Sequence, residues 1–78
     1  GEQVTALPPV LRLRFSVPAT KERMTVLRAR GFDVICTVDD QRIHASLFVP
    51  ILFDVDSYLH GLLGPCNGLQ IYHRQRIG

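Results

Sequence analysis

The sequence predicts an α+β sandwich, with a four-stranded antiparallel sheet carrying two helices on one of its faces. Two observations lead there. Four segments alternate apolar and polar residues one for one, the period of half-buried strands, and two others have helical spacing bounded by helix-start and helix-stop residues. Their order along the chain is strand, helix, strand, strand, helix, strand. At 78 residues there is one domain, and its core is small.

Residues 1–9 are polar or small and end in Pro8-Pro9, an extended lead-in to a domain over residues 10–78. In the first strand, residues 10–17, Leu11, Leu13, Phe15 and Val17 take one side, and Arg12, Arg14 and Ser16 take the other. Pro18 stops the strand and suits a helix start. Residues 19–30 are rich in helix formers, with Thr20, Met24, Leu27 and Gly31 on one stripe and Lys21, Arg23, Arg28 and Arg30 off it. Gly31 provides the exit.

Next comes FDVICTVDDQRIHASLFV, residues 32–49, which reads as one hairpin. Setting Asp39 opposite Arg42 pairs Val38 with Ile43, Cys36 with Ala45, Val34 with Leu47 and Phe32 with Val49. A slip of one residue would turn every apolar side chain to the wrong face. The apolar run over residues 47–53 is broken by Pro50, which cannot donate to a ladder. Asp54 is the expected N-cap of the second helix, and Asp56 complements its dipole. Val55, Leu59 and Leu62 form its buried face, flanked by Tyr58 and Leu63. Gly64-Pro65 ends the helix and Cys66-Asn67-Gly68 turns the chain. In the last strand, residues 69–77, Leu69, Ile71 and His73 share one face and Gln70, Tyr72, Arg74 and Arg76 the other. Two right-handed split βαβ units of this kind build a ferredoxin-like sandwich.

Composition narrows the classes. A hydrophobic fraction of 46% and a charged fraction of 21% fit a globular domain and exclude a disordered chain. The net charge of +2 is too small to imply a polyanionic partner, so position matters more than sum. Cys36 and Cys66 are too few for a disulfide framework, which points to an intracellular, reducing setting. No apolar run reaches the length of a membrane span, so no membrane partner is expected. The chain opens on Gly1 and closes on Gly78 without a terminal feature, and reads as a module cut from a larger protein.

With the helices on one side, the other side of the sheet is left open. It collects Arg12, Arg14, Arg42, Arg74 and Arg76, five of the nine basic residues, against Asp33 as the one strand acid. Ile35, His44, Phe48 and Tyr72 are interleaved with them. The third strand, RIHASLFV, resembles the RNP1 segment of the RNA recognition motif family. Arg42 stands at its basic first position, Ala45 at its small one and Leu47 at its aliphatic one. VPATKERMTVLRARGF and HGLLGPCNGLQIYHRQ are similar to that family's passages into the first helix and the last strand. The resemblance implies single-stranded RNA binding through Arg12, Arg14, Arg42, His44, Tyr72 and Arg74. The sequence departs from the family where stacking is expected: Ser46 holds the central aromatic position, and Arg12 and Arg14 occupy the first strand. Each base–aromatic stack is worth roughly 1–3 kcal/mol, so losing two removes about 2–6 kcal/mol of binding.

The apolar residues suggest a different use. Ile35 and Phe48 face outward, and Ile51 and Phe53 continue past Pro50. Exposed apolar and aromatic residues among arginines are the composition of a protein interface. The expected function is a non-catalytic module for protein–protein interaction or self-association, by the sheet face or an edge strand, with Arg14, Ile35, Phe48 and Tyr72 as contacts. Degenerate RNA binding is the alternative, and a solvated strand face is the plainest account of the arginines.

No catalytic or metal chemistry is expected. His44, His60 and His73 lack a cysteine or carboxylate partner at metal-ligand spacing. Asp56, Ser57 and His60 share one short helix without an evident oxyanion hole. Gly61, Gly64 and Gly68 form no phosphate loop after a strand. No cofactor is implied.

Overall fold

A computed structural model describes residues 10–50 and 52–77, the last five of them as backbone. The elements are β1 (Val10–Pro18), α1 (Lys21–Ala29), β2 (Asp33–Cys36), β3 (Arg42–Pro50), α2 (Val55–Leu63) and β4 (Gln70–Ile77). All strand pairs are antiparallel, in the order β2-β3-β1-β4. This is the ferredoxin-like sandwich that the alternation predicts. The lead-in over residues 1–9, Ile51 and Gly78 lie outside the described residues.

One side of the sheet is dry. Leu13, Phe15, Val17, Ile43, Ala45 and Val49 from the central strands bury against Leu27 of α1 and Val55 and Leu59 of α2. Phe32 closes the middle, edge-on to Phe15 at 5.5 Å between centroids and stacked with Tyr58 at 6.4 Å. Phe53 meets the Tyr58 edge at 4.9 Å and is half-buried, whereas Leu52 beside it is exposed.

Both helices begin on capping side chains. Asp54 accepts from the Ser57 backbone N–H at 3.1 Å and from its hydroxyl at 2.8 Å, as expected. Helix α1 differs from the sequence reading. Thr20 is not on its buried stripe but stands exposed as the N-cap, its hydroxyl accepting the Arg23 N–H at 3.1 Å. Past the helix end the chain turns at Gly31, whose φ of 89° only glycine adopts without strain, and the Phe32 N–H donates back to the Leu27 carbonyl at 3.0 Å.

The hairpin register is offset by two residues from the expected one. Cys36 pairs with Ile43 and Val34 with Ala45, and Val38 leaves the ladder to stand fully exposed. Turn chemistry explains the offset. The expected two-residue loop, Asp40-Gln41, needs positive φ at both residues in a type I′ turn, or a conformation reserved for glycine at Asp40 in a type II′ turn. The observed loop needs it at Asp40 alone, where φ is 57°. Thr37 and Asp39 lock this longer loop. Asp39 accepts the Thr37 hydroxyl at 2.6 Å and the Gln41 N–H at 3.2 Å, and Thr37 N–H reaches the Arg42 carbonyl at 2.9 Å. The Thr37 and Gln41 hydrogen bonds hold the Asp39 carboxyl below its ordinary pKa. A shift of two preserves facing, so the dry side survives.

Candidate functional site

The open face of the sheet is ordered in rows by the register. Arg14 of β1, Ser46 of β3 and Asp33 of β2 form the middle row. On one side of it lie Ser16, His44 and Ile35, and on the other Arg12 and Phe48, where β2 has already ended. Ser46 is the shortest side chain in the middle row, and a groove of about 340 Å³ opens over it, reached by Arg12, Arg14, Asp33, Ile35, His44 and Tyr72.

One ring pair and one cation–ring pair flank the groove. His44 and Tyr72, from strands on either side of β1, lie nearly parallel, 5.9 Å apart with 11° between planes. Across the groove the Arg12 guanidinium sits 5.9 Å from the centre of the Phe48 ring, within cation–π range. Ile35, Phe48 and Tyr72 are 69%, 59% and 50% exposed, high values for apolar or aromatic residues on one face. Arg14 is exposed beside them. The four expected protein contacts therefore converge on a single surface.

One of the expected RNA contacts is partly engaged within the fold. Arg42 is half-buried, and its Nε donates to the Ser16 hydroxyl at 2.7 Å while an η nitrogen donates to the Gly68 carbonyl. Ser16, placed on the open side by its alternation, is completely buried there. Arg42 thus ties β1, β3 and the turn before β4 together, and its fork is already engaged. The strand alternation of β4 also fails to run through. Arg14 pairs with His73 but Phe15 with Ile71, so Tyr72 is the extra residue of a β-bulge. Beyond it Arg74 stands opposite Leu13 and Arg76 opposite Leu11, in register with residues of the core side instead of Arg14 and Arg12. The Arg74 side chain lies outside the described residues.

Sequence reasoning missed the floor residue Ser46 and the clamp of Arg42 on Ser16. A short polar residue flanked by large ones in a strand was the available signal for the first. The second joins residues 26 apart in sequence and has no local signal.

Among the described residues no three of His, Cys, Asp and Glu gather as a metal set, and no helix is long and apolar enough to cross a membrane. Cys36 and Cys66 are free thiols, Cys36 with its sulfur 3.5 Å from that of Met24. In comparisons with family models, with curated proteins and with solved structures, nothing matches this chain.

Proposed function

We propose that the open face of the sheet is a protein-association surface and that the domain is a non-catalytic binding module. The observation that supports this most is the exposure of Ile35, Phe48 and Tyr72, each at least half exposed on one face, Ile35 and Tyr72 at a groove edged by Arg12 and Arg14 and Phe48 beside Arg12. Burying such residues removes apolar area from water at about 25 cal/mol per Å², and aromatic and arginine side chains are the usual anchors of interfaces. Association is tested by affinity capture and by sedimentation, comparing the wild type with Phe48→Ser and with Leu52→Ser, whose exposed side chain is off this face. Loss of association in Phe48→Ser alone supports the proposal. Association that ignores Phe48, or none for the wild type, rejects it.

A second reading has one observation in its favour. The parallel His44–Tyr72 pair beside Arg12 and Arg14 offers a stacking platform with cations, the combination that binds single-stranded RNA as in a degenerate RNA recognition motif. The engagement of Arg42 weakens that reading, since one of its main cations is held by Ser16 and Gly68. Titration of a labelled single-stranded RNA at low and moderate salt decides it. Binding that falls steeply with salt and is lost in Tyr72→Ala would favour RNA.

A further inference from the structure

Resting on the protein-association reading, we infer that the partner of the open face is a second copy of this chain, packed face to face about a two-fold axis that runs along β3 through Ser46. The middle row supplies the reason. Arg14 and Asp33 lie on opposite sides of Ser46, each one strand away and each exposed. Their Cα atoms are therefore roughly 4.5–5.5 Å from that of Ser46 in either direction. A two-fold along β3 exchanges these two positions. It sets Arg14 of each copy over Asp33 of the other, forming two ion pairs, with the shortest residue of the row on the axis. The other in-plane axis, across the strands, sets Arg14 over Arg14 and Asp33 over Asp33. Isologous interfaces require a self-complementary patch, and this row is self-complementary about one axis only.

The row of Phe48 is compatible with the same axis, which leaves Tyr72 on β4 at the rim of the contact. Phe48 lies on β3 and so meets Phe48 of the other copy. Arg12, on β1, is carried to the ground beyond the end of β2, beside a notch of about 150 Å³ that Gly31, Asp33 and Leu47 line together with Arg12 and Phe48 of the receiving copy.

The size of the face sets the strength. With the axis on β3, the strands β2, β3 and β1 overlap and β4 has no counterpart, so nine-residue central strands and three strands in width give a face of roughly 30 by 14 Å. That falls short of the roughly 800 Å² per partner of a stable complex. The dimer is accordingly a weak one, formed at micromolar to millimolar protein.

The test is a charge exchange read by sedimentation equilibrium from about 10 μM to 1 mM. Arg14→Asp alone and Asp33→Arg alone each put two like pairs at the interface, and each should weaken dimerisation at least about tenfold. An equimolar mixture of the two variants has both pairs opposite in sign and should recover wild-type affinity as a heterodimer. Ser46→Arg places a long side chain on the axis and should abolish self-association while leaving the folded amide spectrum intact. The inference is overturned by a wild type that stays monomeric, by a dimer indifferent to both single substitutions, or by a mixture that fails to recover. A monomer that captures another protein in a Phe48-dependent way overturns the dimer and leaves the association surface standing. A monomer that binds RNA through Tyr72 overturns both.

Discussion

Arg42→Met should destabilise the fold by about 2 kcal/mol, although Arg42 is only half-buried and lies on the open face. The Nε donates to a hydroxyl with no solvent exposure of its own, at 2.7 Å. Hydrogen bonds from a charged donor are worth about 1.5–3 kcal/mol, and the bond to the Gly68 carbonyl adds to this. Water entering where the guanidinium was would return part of the loss. In a domain of this size, 1 kcal/mol moves Tm by about 4–8 °C, so the expected fall is roughly 8–16 °C. Ser16→Ala should cost under about 1 kcal/mol, because the arginine it abandons can still reach water. Urea unfolding of both single variants and the double variant forms a cycle, with a coupling of about 1 kcal/mol or more expected. A single Arg42→Met change within about 0.5 kcal/mol of wild type, or strictly additive effects, would refute the clamp.

Two further substitutions test local features. Gly68→Ala should destabilise by about 1–3 kcal/mol in thermal unfolding, because φ is 84° and a Cβ would sit 3.1 Å from Pro18 Cγ. Ala at Gly61, where a Cβ has open space and φ is unremarkable, is the matched control and should not destabilise. Asp39 should titrate below 3.8 by carboxyl-carbon NMR. A depressed folded-state pKa means that its stabilisation is present above the unfolded value and lost as pH falls through the folded one. Asp39→Asn should therefore flatten the acid limb of the stability profile below about pH 4. An Asp39 midpoint at or above the ordinary value would contradict the hydrogen bonds at the hairpin.

Much of this fold was legible because its strands obey a period of two that neither helix imitates. Leu13, Phe15 and Val17, and Ile43, Ala45 and Val49, alternate without a break, and burial follows them. Asp54 as a cap was legible for a similar reason, since it precedes an apolar helical stripe. The hairpin register was not. Both candidate registers put the same residues on the same face, so hydrophobicity could not separate them. The choice fell to Thr37, Asp39 and the positive φ of Asp40. The bulge at Tyr72 was hidden too, because nothing in Ile71-Tyr72-His73 distinguishes an extra residue from a regular pleat. Consequently the open face was foreseen for β1, β2 and β3, and the expectation for Arg74 rested on an alternation that the bulge interrupts. Arg42 illustrates another limit. Its position on the face could be read from alternation, but its hydrogen bonds to Ser16 and Gly68 depend on tertiary proximity.

The central claim is that the uncovered side of the sheet, and not the helical side, meets a partner. Amide chemical shifts followed while the protein is concentrated from about 10 μM to 1 mM test it most directly. The expected result is movement confined to residues around Arg14, Asp33, Ile35, Ser46 and Phe48, fitting one dissociation constant, with Lys21–Ala29 unmoved. Shifts centred on that helix, or a spectrum that does not change with concentration, would contradict association of two copies through this face.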